Sequence, residues 1–83
     1  MSEYRVEVRV TPREGLLDPQ GKAVYGALHS LSFPEVDEVR IGRHITLKVH
    51  ANSEAEVRTR VDAMCRQLLA NPVTEDYDVE VFS

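Results

Sequence analysis

Gly15-Leu16-Leu17-Asp18-Pro19-Gln20-Gly21-Lys22-Ala23-Val24 is the stretch that turns an alternating strand into a helix. Asp18 is a good N-cap, because its carboxylate can accept from the unpaired amides of the first helical turn. Pro19 falls at the first helical position, where its missing N–H is no loss and its fixed φ suits the helix. Gly21 is out of place there, since glycine costs about 1 kcal/mol relative to alanine inside a helix. It suggests that another backbone or a ligand comes close. A capped helix start also gives no reason for the apolar pair Leu16-Leu17 just before the cap.

Upstream, Tyr4, Val6, Val8 and Val10 alternate with Arg5, Glu7 and Arg9, the pattern of a half-buried strand. Downstream, Ala23, Val24, Ala27, Leu28 and Leu31 form an apolar helical stripe that ends near Ser32, before Phe33-Pro34. Gly26 within it either weakens the helix or permits a close neighbour. Residues 36–41 read as a short second strand, with Val39 and Ile41 inward and Gly42-Arg43 as a hairpin turn. His44 to His50 reads as the third strand, with Ile45, Leu47 and Val49 inward. Ser53 and Glu56 have capping-box spacing and open a second helix carrying Val57, Val61, Met64, Cys65, Leu68 and Leu69 at helical spacing. Asn71 in the left-handed conformation, followed by Pro72, is expected to end it. Tyr77, Val79 and Val81 then share one face of a last strand.

The order β-α-β-β-α-β over 1–83 predicts one α+β domain of the ferredoxin-like order: a four-stranded antiparallel sheet, strand order 4-1-3-2, with two helices on one face. The other face carries Arg5, Glu7, Arg9, Thr46, Lys48, Asp78 and Glu80. It is either a solvated face of mixed charge or a polar surface for self-association. At 83 residues the core is thin, so help from oligomerisation is expected.

The apolar share of 42% and charged share of 29% are those of an ordinary globular chain. No apolar run is long enough to span a membrane, and Met1-Ser2-Glu3 does not begin a signal peptide, so a cytoplasmic location is expected. A net charge of −4 argues against nucleic acid as a partner. The single cysteine, Cys65, allows neither an internal disulfide nor a thiolate metal site, and its place on an apolar stripe makes it a buried thiol. His44 and His50 lie roughly 20 Å apart along one strand, too far to share a metal. With His29 they have no carboxylates at ligand spacing. An RNA-recognition fold would want stacking aromatics on the outer face of the central strands, and none is there. The 11–17 loop has no Cys-x-x-Cys for a metal chaperone, and one Arg beside one Glu makes a poor phosphate cradle. No nucleophile–base pair is evident.

Three motifs then carry a resemblance. The stretch from Gly15 to Val24 resembles the signature of the PurS family. Val39-Arg40-Ile41-Gly42-Arg43 is similar to its hairpin motif, with Arg43 where lysine is usual. The run from Cys65 to Tyr77, through Leu69-Ala70-Asn71-Pro72-Val73-Thr74-Glu75-Asp76, is similar to a third, with Thr74 where an apolar residue is common. The resemblance covers essentially the whole chain. It implies the small, non-catalytic subunit of phosphoribosylformylglycinamidine synthase. That enzyme makes formylglycinamidine ribonucleotide from formylglycinamide ribonucleotide, glutamine and ATP in purine biosynthesis.

The resemblance further implies a homodimer or tetramer bridging a synthetase subunit (PurL) and a glutaminase subunit (PurQ) and helping ammonia to pass. ATP and Mg would then be bound by PurL, with no cofactor, metal or catalytic residue on this chain. Asp18, Gln20, Gly21, Asn71, Glu75 and Asp76, with Arg40 and Arg43 as a second patch, are the candidates for subunit contact. The last strand either pairs within its own subunit or is exchanged with a partner. The alternative on the same fold is a stand-alone regulatory domain that binds a small ligand.

Overall fold

Strand β1 (Ser2–Pro12) runs down the middle of the sheet in the computed structural model, which describes residues 1–83. Strand β2 (Arg43–Ala51) pairs with it on one side and β3 (Glu75–Phe82) on the other, both antiparallel. The register follows the alternation. Val6 lies between Leu47 and Val81, Val8 between Ile45 and Val79, and Val10 beside Tyr77. This central row has no solvent exposure. On the opposite face Arg9 bonds to Asp78 at 2.8 Å and Glu80 at 3.0 Å, and Arg5 lies over the Phe82 ring at 4.4 Å. His44 and His50 sit there too, 3.3 Å from Glu7 and 3.6 Å from Glu3.

Helix α2 (Glu54–Met64) closes the apolar face. The Ser53 hydroxyl accepts from the Glu56 amide at 3.2 Å, which starts the helix as its spacing predicts. Val57, Val61 and Cys65 recur once per turn, and all three are fully buried against β1. A π-helical turn (Cys65–Leu69) extends α2 and closes with the Ala70 amide on the Cys65 carbonyl at 3.0 Å. The helix does not end in a left-handed Asn71. Ala70 is extended, and Ser32, with φ of 74°, is the non-glycine residue in the left-handed region. Asn71 instead makes a side-chain turn, its Oδ1 accepting from the Val73 amide at 2.9 Å.

Helix α1 (Pro19–Ser30) departs most from expectation. It ends in a Schellman turn, with the Phe33 amide on the Leu28 carbonyl at 3.0 Å and the Ser32 amide on the His29 carbonyl at 3.2 Å. Yet it is not laid on the sheet. Gly21 is its one buried residue, and Val24, Tyr25 and Leu31 are exposed. Only one helix therefore covers this sheet, not two.

Residues 36–41 are not a strand either, so the sheet has three strands rather than four. The segment runs back along α1: the Val36 carbonyl meets His29 Nε2 at 2.8 Å, and the Ile41 amide donates to Asp18 at 2.9 Å. Those two backbone groups are engaged by the helix and its cap, not by a sheet edge. Gly42-Arg43 is accordingly no hairpin turn. At Gly42 the chain passes against the end of β1 so closely that a Cβ would run into the Val10 carbonyl oxygen. The remaining strands keep the expected neighbours, the last and the third flanking the first.

The result is a body with extents of 52 × 24 × 14 Å and a radius of gyration of 16.2 Å. A compact domain of this length would have about 12 Å. The excess is the paddle formed by α1 and its return segment.

Candidate docking corner

Two of the stretches singled out in the sequence, 15–24 and 65–77, meet at the root of this paddle. Arg13 holds them together. Its amide donates to the Thr74 carbonyl at 2.9 Å, and its guanidinium reaches the carbonyls of Pro72 (2.8 Å) and Val73 (3.0 Å) and the Asp76 carboxylate (3.0 Å). One side chain at the end of β1 thus fixes the loop that opens β3. Sequence reasoning missed it. An arginine next to a glutamate in a loop gives no signal, because its partners are main-chain carbonyls some sixty residues away.

A second clasp lies alongside. Arg43, the first residue of β2, makes a two-pronged bond to Glu75 at 2.9 and 3.0 Å and caps the π-helical turn through the Leu69 carbonyl at 2.9 Å. The planar fork suits a carboxylate in a way a lysine ammonium cannot. The Glu75 carboxylate also accepts from the Asn71 amide at 2.8 Å. Bonding to Arg43 and then to Asn71 holds the Glu75 carboxyl below its ordinary range, and Glu75 holds the Arg43 guanidinium above its own.

Asp18 is the third tie. One oxygen accepts from the Gly21 amide at 3.0 Å, as an N-cap should, and the other from the Ile41 amide at 2.9 Å. These backbone donors, Ile41 foremost, lower its carboxyl from the ordinary value. The same crossing explains Gly21. A Cβ there would collide with the Asp18 carboxylate and lie 2.5 Å from the Val39 carbonyl oxygen, so the neighbour suspected from the sequence is the chain's own return segment.

The candidate residues therefore divide. Asp18, Gly21, Arg43, Asn71, Glu75 and Asp76 are tied within the chain and set the shape of the corner. Gln20 and Arg40 are exposed, and Arg40 pairs with Glu38 at 3.0 Å. What faces outward is apolar. Leu17 is 82% exposed, Val73 74% and Leu68 83%. Leu16 and Leu17 also line both surface clefts of the molecule. One, of about 480 Å³, lies between the 13–17 loop and the paddle. The other, of about 390 Å³, lies against Thr74 and Glu75.

Two further titratable groups nearby are committed. The Tyr77 hydroxyl donates to Asp62, which pushes its phenol up, and burial pushes the Cys65 thiol up. Ions locked into pairs around exposed leucines can hold a neighbouring surface. They do not supply a free base or nucleophile.

Comparison with known proteins agrees with this picture. The PurS family model, described as phosphoribosylformylglycinamidine (FGAM) synthase, matches residues 5–83. The chain belongs to the PurS family. The PurS subunit of phosphoribosylformylglycinamidine synthase from Bacillus subtilis is 47% identical, with 94% of this chain and 92% of the relative aligned. The subunit of the same name from Methanocaldococcus jannaschii is 36% identical over 94% of each. Among solved structures, B. subtilis PurS superimposes with a TM-score of 0.83 at 46% identity, over 96% of this chain and 99% of that one. A chain of the PurLQS structure from Thermotoga maritima superimposes with a TM-score of 0.88 at 29% identity, over 99% and 100%. The fold is thus kept end to end in a relative chain of only 29% identity.

Proposed function

We propose that the chain serves as the non-catalytic small subunit of phosphoribosylformylglycinamidine synthase. In that role it joins the PurL synthetase to the PurQ glutaminase and helps ammonia pass between them. The conversion is that of formylglycinamide ribonucleotide to formylglycinamidine ribonucleotide with glutamine and ATP, in the cytoplasm. ATP and Mg belong to the synthetase in this reading, and this chain binds no cofactor. The observation that carries the proposal is end-to-end likeness to a chain of the T. maritima PurLQS structure.

The assembly unit we propose is a homodimer, with a tetramer as a higher state. β3 pairs with its own β1 from Arg5 to Pro12, and the element we propose is offered to the partner is α1 rather than the last strand. Helix α1 fits that part better. An isolated helix of 12 residues is marginal in water. Its outer stripe of Val24, Ala27 and Leu31 is bare, and Ile45, Leu47 and Val49 of β2 are only half-buried. A second copy related by a twofold axis would satisfy both surfaces at once.

The test mixes this chain with the synthetase and glutaminase of the same organism, with glutamine, Mg²⁺ and ADP, on size-exclusion chromatography. A ternary complex and glutamine-dependent turnover that needs this chain are expected. Full turnover without it would refute the role and return the regulatory-domain alternative.

A further inference from the structure

The larger cleft has walls of unequal security. One wall is the 13–17 loop, fastened to the β3 side by Arg13. The other is the paddle, contributing Gly21, Lys22 and Tyr25 from α1 and residues 37–40 from the return segment. The paddle is internally tied by Asp18, Gly21 and His29. Nothing packs it onto the sheet of its own chain: among α1 residues only Gly21 is buried. The width of the cleft is therefore set by whatever covers the bare stripe of α1.

The lining also has a definite chemistry. Leu16, Leu17 and Tyr25 are its apolar part, set among charged neighbours. Of the cations, Arg13 is paired with Asp76 and Arg40 with Glu38. Lys22 is left against Glu14 and Asp37, neither of which has an ion-pair partner. The local balance is acidic, in the same sense as the chain's net charge of −4. A complementary occupant carries an aliphatic side chain with lysine or arginine beside it.

We infer that this cleft is the socket for an apolar, basic-flanked segment of a larger subunit, and that it is complete only after a second copy of this chain has fixed α1. The inference rests on the bridging role proposed above and adds an order to it: dimerisation first, docking second. A site whose wall is ordered by a first partner binds a second more tightly, because part of the ordering cost has already been met.

Three proteins test it, each measured by sedimentation for self-association and by capture on the synthetase and glutaminase subunits. Leu31→Glu alters a residue that is 67% exposed and outside the cleft, so the single chain keeps its core. It is expected to be monomeric and to lose capture by about tenfold or more, a coupling of the usual allosteric size. Capture should return as concentration restores the dimer. Glu14→Lys with Asp37→Lys should stay dimeric and lose capture at low salt, with the gap to the native chain narrowing at high salt.

A Leu31→Glu protein that remains dimeric, or a monomeric one captured as well as the native chain, overturns the inference. So does a charge-reversed dimer with unchanged capture. A native chain that neither subunit captures fails differently: it refutes the bridging role itself, and the inference with it.

Discussion

Replacing Gly21 with alanine sets two physical effects against each other in one residue. Helix propensity alone favours the change by about 1 kcal/mol, since alanine restricts the unfolded chain and suits the helix. The structure opposes it. The new methyl would overlap the Asp18 carboxylate and approach the Val39 carbonyl oxygen to 2.5 Å, closer than real contacts allow. The Val39 oxygen is backbone and cannot swing away as a side-chain tip can. Moving it disturbs the Asp18–Ile41 bond, so the paddle opens at its root. Overpacking of this kind costs about 1–3 kcal/mol. With a backbone atom as the obstacle the upper part of that range applies, about 2–3 kcal/mol, and subtracting the propensity gain leaves a net loss of about 1–2 kcal/mol, or a Tm lower by about 4–8 °C for each of those kilocalories in a domain of this size. Gly26→Ala is the control: nothing lies within 4 Å of a Cβ at that position, so propensity acts alone and stability should rise by about 0.5–1 kcal/mol. Thermal melts of the three proteins at equal concentration check both, because association makes Tm concentration-dependent. A Gly21→Ala protein as stable as the native one would refute the account of the paddle root.

Ser32→Gly should stabilise by about 1 kcal/mol in the same melts, because φ of 74° costs an L residue and not glycine. Arg13→Met should lower stability by about 1 kcal/mol through lost bonds to exposed carbonyls and Asp76, and should weaken capture by partner subunits. Leu17→Asp, at a side chain that is 82% exposed, should weaken capture and leave the melt unchanged. The Glu75 carboxyl has a lower pKa folded than unfolded, where the ordinary value is 4.5. Its stabilising contribution is therefore complete above that value and is lost as pH falls through the folded one. Urea titrations from neutral pH into acid should show this loss, and Glu75→Gln should flatten it. The Cys65 thiol, fully buried, should react with a thiol reagent only as fast as the native state unfolds or opens. Rapid labelling of the folded protein would contradict its placement.

Strand alternation and capping chemistry were readable in the chain because both are local. Tyr4 to Val10 alternates without a break, and Ser53 with Glu56, like Asp18 with Pro19, states where a helix starts. The error at 36–41 has a physical cause. Val36, Val39 and Ile41 are β-branched and look like strand residues, yet what decides their conformation is who takes their backbone hydrogen bonds. His29 and Asp18 do so from the helix side, and neither contact leaves a periodic trace. The stripe on α1 was read correctly as apolar and wrongly as facing its own sheet. Periodicity tells that a face will be covered but not by which molecule. At the corner, the third stretch pointed to Asn71, Glu75 and Asp76, and the structure joins them to Arg13 and Arg43. Carbonyl-directed arginines such as Arg13 cannot be found by spacing, because the acceptor is present in every residue.

These observations bear on why an 83-residue chain should carry so extended a shape. Its fully buried row is one strand and one helix deep, and the conformational entropy of the whole chain must be met from it. Folding α1 onto its own sheet would have added apolar burial within one chain, and the tight crossings at Gly21 and Gly42 work against that. Gly21 locks the return segment to the helix, and Gly42 carries the chain hard against the end of β1, so the paddle leaves the sheet as a unit. Stability withheld from the monomer is then available to association, and the apolar area that provides it includes the surface next to Leu16 and Leu17. The bridging role proposed above gains from this division. The α1 stripe is left bare, and the corner is built from internal ion pairs that leave Leu17 and Leu68 exposed.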